Sequence, residues 1–114
     1  MKKKILAATA VTTLAAIAAI PAFAGTKTVK VGDNYYVRDG GRPTVTISKG
    51  STLKFVWRGS SPHNVVKKKG PGAKFNSGVK TKGSYSHKFT RGGTYTIYCT
   101  IHGLSDMGLT VKVR

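Results

Sequence analysis

Beyond residue 25, apolar residues recur at every second position, in short runs. In Thr44-Val45-Thr46-Ile47 the pair Val45 and Ile47 shares a face, and in the run from Leu53 to Trp57 so do Leu53, Phe55 and Trp57. Tyr85, His87 and Phe89 alternate in the same way, as do Tyr95, Ile97 and Cys99, with Thr94, Thr96 and Tyr98 on the opposite face. Leu109, Val111 and Val113 close the chain. A period of two is that of a pleated strand with one wet face and one dry face. No helical period longer than about two turns occurs in this region. Turn signals cut the runs apart: Asp39-Gly40-Gly41, Lys49-Gly50, the segment from Arg58 to Pro62, Gly70-Pro71-Gly72 and Arg91-Gly92-Gly93. Val29, Val31 and the residues from Tyr35 to Val37 can supply one or two more strands. The segment from Lys67 to Gly83 is the least patterned and reads as a long loop with one edge segment. The pattern predicts an all-β domain, an antiparallel Greek-key sandwich or barrel of seven to eight short strands.

The first residues read differently. Lys2, Lys3 and Lys4 precede an uncharged Ala-rich apolar run, Pro21 interrupts it, and Ala22-Phe23-Ala24 is a small-x-small cleavage signal. That order predicts a secretory signal peptide over 1–24 and one domain over 25–114, in a periplasmic or extracellular protein. Ile5 to Phe23 is 19 residues, just long enough to span a membrane as a retained anchor. Pro21 and the Ala-x-Ala site favour cleavage. Cleavage leaves 90 residues, with 17 basic and 3 acidic side chains. The one Cys of the chain cannot form an internal disulfide, although small exported domains often depend on them. The thiol therefore calls for another explanation.

Cys99 ends an apolar strand, His102 follows as Cys-x-x-His, and Met107 follows as His-x4-Met. His63 stands upstream, just after a turn, in Pro62-His63-Asn64-Val65. A thiolate, two imidazoles and a thioether are the donor set of a blue-copper site, three strong ligands and a weak axial Met. Soft sulfur suits Cu(I), and imidazole serves both oxidation states. Taken singly, a buried Cys or Met is an ordinary core residue, and a His beside a turn is ordinarily solvated. Both sulfur residues after the leader and two of the three His fall into one ligand pattern, which the ordinary readings do not explain. Zinc seldom takes Met, and structural zinc sites pair their Cys. A nucleophilic Cys–His pair could draw on Asn64 or Asp106, but a domain of 90 residues with no evident cleft argues against an enzyme. His87 alternates with Tyr85 and Phe89 and reads as a partly buried strand residue.

At these residues the chain resembles the plastocyanin-like cupredoxins, the small type 1 blue copper proteins. The likeness runs through the segment from Thr44 to Gly50, Pro62-His63-Asn64-Val65-Val66, Phe75-Asn76-Ser77-Gly78, the segment from Gly93 to His102, and Met107-Gly108. The resemblance implies a two-sheet β-sandwich with one copper ion at its end and one-electron transfer between redox partners as its activity. It implies His63, Cys99 and His102 as equatorial ligands, Met107 as the axial ligand, and an outer contact from Asn64 to Thr100. It also implies an electron port at His102, with Pro62 and Leu104 in the surrounding apolar patch, and a second route through Tyr98.

The chain departs from plant plastocyanins in lacking acidic residues around that second route: Asp33, Asp39 and Asp106 are its only acids. A formal charge of +17 predicts acidic partners. These are redox proteins with an acidic docking face, such as a cytochrome or a copper oxidoreductase, or an anionic membrane or envelope surface. Export and the lack of a recognition motif argue against nucleic acid. Copper storage or delivery, and polyanion binding through Lys67-Lys68-Lys69, are the alternative functions. With two of its three His already in the pattern, the chain has only one left, too few for a further catalytic copper site, and it is expected to act as a monomeric carrier rather than an enzyme.

Overall fold

The computed structural model describes residues 24–114; the expected signal peptide, Ala24 apart, lies outside the described residues. Eight strands follow in order: β1 (Thr26–Gly32), β2 (Tyr35–Tyr36), β3 (Thr44–Ile47), β4 (Thr52–Trp57), β5 (Val66–Lys69), β6 (Ser84–Lys88), β7 (Gly93–Tyr98) and β8 (Gly108–Val113). They form two four-stranded sheets, in the orders β2-β1-β4-β6 and β3-β8-β7-β5. The architecture is the expected all-β sandwich, and it is not a closed barrel.

The alternating residues face inward as their period requires. Leu53, Phe55 and Trp57 on β4 meet Tyr95 and Ile97 on β7 and Leu109, Val111 and Val113 on β8 in one core. Fully burying a side chain such as Leu53 or Phe55 is worth about 1.5–3 kcal/mol. The extra strands expected around Val29 and Tyr35 are β1 and β2, and the edge segment expected after Lys67 is β5.

Purely antiparallel pairing is not found. β1 runs parallel to β4, with Val31 opposite Trp57, and β3 runs parallel to β8. A one-sided strand alternates identically whichever way its neighbour runs, so the pattern carries no direction. The consequence for the site is direct. The loops that follow β1 and β4 leave the sandwich at the same pole, beside the segment joining β7 to β8.

Lys67 also differs from a simple basic cluster. Strand alternation carries the buried face from Val65 to Lys67, and a register shift between Lys67 and Lys69 leaves both Lys68 and Lys69 exposed. The buried Lys67 ammonium donates to the carbonyls of Pro71, Gly72 and Ala73 at 2.6, 2.6 and 3.2 Å. Its charge therefore holds the turn from Gly70 to Ala73, and only two of the three lysines face solvent.

Candidate metal centre

His63 lies on the link between β4 and β5, which several hydrogen bonds tie to the rest of the fold. His63 and Lys80 exchange backbone hydrogen bonds, with His63 N donating at 3.0 Å and Lys80 N at 2.9 Å. The Trp57 indole Nε1 donates to the His63 carbonyl at 3.1 Å, and the Tyr36 hydroxyl donates to the Asn64 carbonyl at 2.6 Å. Burial, and next the charge of Cys99, push the Tyr36 hydroxyl far above its usual range, so it keeps the proton it donates. Ser77 holds the next residue, its Oγ accepting from Val65 N at 2.8 Å.

The second group of candidates sits on one short loop. Cys99 follows β7 directly, and Met107 directly precedes β8. Cys99 N donates to the Met107 carbonyl at 3.1 Å, Gly103 N to the Cys99 carbonyl at 2.8 Å and Met107 N to the Gly103 carbonyl at 2.9 Å. Gly103 has φ of 86°, a left-handed conformation that a side chain disfavours, and this turn brings His102 back over Cys99. The Sγ of Cys99 lies 3.5 Å from His102 Nδ1.

Asn64 joins the two groups. Its Nδ2 donates to Thr100 Oγ1, and its Oδ1 accepts from Thr100 N, both at 2.8 Å. One amide thus locks the His63 link to the residue after Cys99.

The fold brings His63, Cys99 and His102 together: one ligand atom from each lies within 4.8 Å of the other two. The two imidazole rings are 4.9 Å apart at their centroids. Cys99, His63 and Met107 are buried and His102 is partly exposed. Among the described residues, His63 Nδ1 is the one buried side-chain nitrogen or oxygen with no hydrogen-bond partner. A buried orphan of this kind is costly unless something accepts its lone pair. Beside a thiol and a second imidazole, a soft or borderline metal ion fits that role. His87 does not join the group; its ring stacks on Phe75 with centroids 3.8 Å apart.

The expected surface residues surround this pole. Pro62 is exposed, and Leu104 is partly exposed and lines a shallow groove with Arg42 and Ser105. Tyr98 is partly exposed, and the Lys68 ammonium lies 5.0 Å above its ring.

Sequence reasoning missed three contributors: Trp57 and Tyr36, which read only as strand residues, and Asp33, which counted only as one of three acids. The Asp33 carboxylate accepts from Ser60 N at 3.0 Å, Ser61 N at 2.9 Å and His63 Nε2 at 3.2 Å. The backbone donors of Ser61 and Ser60, with His63 after them, hold its carboxyl well below the usual carboxylate range. No local signal could have paired Asp33 with a histidine 30 residues away.

A two-sheet sandwich with two His, one Cys and a buried Met gathered at one pole defines a cupredoxin. Residues 28–114 match the model of the copper binding proteins of the plastocyanin/azurin family. Plastocyanin of Prochlorothrix hollandica is 34% identical, over 86% of this chain and 80% of that protein. The structure of a reduced amicyanin mutant superposes with a TM-score of 0.65 at 29% identity, over 79% of this chain and 83% of that one. An oxidized amicyanin mutant gives 0.64 at 29% identity, over 85% and 88%. The chain belongs to the plastocyanin/azurin family: it is a copper-binding blue copper protein, and it transfers electrons.

Proposed function

We propose that His63, Cys99 and His102 hold a single copper ion, with Met107 as a weaker fourth ligand. In this reading the protein shuttles electrons one at a time between larger redox proteins and catalyses no reaction of its own. Bound copper supplies the one-electron couple. The chain's own residues hold the ligands in place before metal arrives. Asn64 and Thr100 tie the two ligand segments together, the Gly103 turn sets His102, and Trp57 and Tyr36 anchor the His63 link from the core side. A site held this firmly changes little between oxidation states, which favours rapid transfer. The buried orphan Nδ1 of His63, on a residue that offers a ligand atom within 4.8 Å of those of Cys99 and His102, carries the assignment.

His102 is the ligand nearest solvent, so we assign electron exit to its edge, within a patch that includes Pro62 and Leu104. Tyr98, under Lys68, is the second exit. With only three acidic side chains in the whole chain, the docking partner carries an acidic face, and the carrier works as a monomer. The Lys-rich start, apolar run and Ala-x-Ala site support cleavage behind Ala24 and work outside the cytoplasm.

Titration of the purified 25–114 protein with Cu(II), followed by visible spectroscopy, tests the assignment. An intense blue thiolate-to-copper band saturating at one equivalent is expected, and Cys99→Ser abolishes it. A colourless complex, or a blue Cys99→Ser variant, refutes the ligand set.

A further inference from the structure

We propose that Asp33 is the positioning residue for His63: it holds the imidazole as the Nε2–H tautomer, aims Nδ1 at the metal and biases the site toward the oxidised ion. The proposal rests on the reading that His63 is a ligand.

A carboxylate can only accept hydrogen bonds, so the 3.2 Å contact to Asp33 Oδ1 requires the proton on His63 Nε2. The lone pair then lies on Nδ1, the buried nitrogen that has no other partner. With the tautomer and ring direction set beforehand, metal capture needs no rearrangement.

Asp33 is itself held firmly. Ser60 N donates to both carboxylate oxygens, at 3.0 and 3.1 Å, Ser60 Oγ to Oδ2 at 3.2 Å, and Ser61 N to Oδ1 at 2.9 Å. The close approach depends on Gly59: a Cβ there would collide with Asp33 Oδ1. The topology supplies the encounter. Asp33 follows β1, Gly59 follows β4, and the parallel register of Val31 on Trp57 sets the two turns side by side. A turn acceptor for Ser60 and Ser61 would need no histidine; here the same oxygen that takes Ser61 N also takes His63 Nε2.

The charge matters as well as the geometry. Asp33 is one of three acidic residues in a chain of formal charge +17. A negative charge bonded to a ligand imidazole strengthens its donation and favours the more highly charged Cu(II) over Cu(I).

Two readouts test this in 25–114. Nitrogen-15 NMR of the metal-free protein is expected to show the His63 proton on Nε2, and Asp33→Ala to redistribute it over both nitrogens. In the copper-loaded protein, Asp33→Asn keeps an acceptor oxygen but removes the charge. It is expected to lower Cu(II) affinity relative to Cu(I) by about tenfold. For a one-electron couple that is an upward shift of about 59 mV in potential. Asp39→Asn, an exposed acid in a turn, serves as the charge control and leaves the potential in place. An unchanged tautomer in Asp33→Ala, or an Asp33→Asn potential equal to that of the control, overturns the proposal. So does a fall in melting temperature with neither readout moved, which would make Asp33 a structural residue alone. If wild-type protein gives no blue band, the ligand reading fails and the bias toward Cu(II) falls with it. The tautomer measurement still decides whether Asp33 positions His63.

Discussion

The amide of Asn64 is the most economical place to perturb the link between the two halves of the site. Asn64→Ala removes two hydrogen bonds at once, Nδ2 to Thr100 Oγ1 and Thr100 N to Oδ1, both 2.8 Å long. A typical intramolecular hydrogen bond contributes about 1 kcal/mol net, so the loss should be about 2 kcal/mol. Thr100 is exposed, so water can take up its freed groups and no large desolvation cost adds to this. In a domain of this size, about 2 kcal/mol lowers the melting temperature by about 8–16 °C. Thr100→Val removes only the hydroxyl partner, at a cost of about 1 kcal/mol. The double variant loses the same two bonds as Asn64→Ala alone, so the cycle should show a coupling of about 1 kcal/mol. Urea denaturation of the metal-free protein, followed by circular dichroism, measures all four corners. Additive single effects would refute the reasoning, because they would mean that the amide and the hydroxyl do not stabilise each other.

Other outcomes are accessible with the same protein. Gly103→Ala places a Cβ on a residue with φ of 86°, and should cost about 1 kcal/mol and slow copper uptake as the His102 turn distorts; a neutral effect on both would remove the turn from the account. His87 has its proton affinity lowered, first by burial and then by the Lys67 charge. The unfolded chain therefore binds a proton that the folded chain resists, and stability should fall as pH drops below about 6.5 and level off below the folded value. His87→Gln should flatten that part of the pH profile, and denaturation midpoints at intervals from pH 8 to 5, which need only the difference between the two proteins, check it. A profile of unchanged slope would place the titration elsewhere.

How much of this could be read from the residues depended on how local the signal was. The Cys99, His102 and Met107 spacing was legible because one short loop carries all three, and loop closure leaves them few places to go. Strands β3, β4, β7 and β8 were legible because each has one dry face, and burial of that face imposes a period of two. His63 was legible only through its donor type and its turn. Lys67 was misleading: three consecutive lysines read as one exposed cluster, whereas the first shares the inward face of Val65 and bonds three carbonyls.

The donor chemistry was therefore written in the chain itself. A single thiol, a thioether and two imidazoles at those spacings suit copper before any coordinate is known, and alternating apolar residues demand a sandwich or a barrel to bury them. Only the tertiary structure decided which strands pair and in which direction. The parallel pairing of β1 with β4 is invisible to periodicity, because side-chain alternation does not depend on the direction of the neighbouring strand. That pairing brings Asp33 to His63, and with it the contact that assigns the proton of one imidazole nitrogen and leaves the other bare.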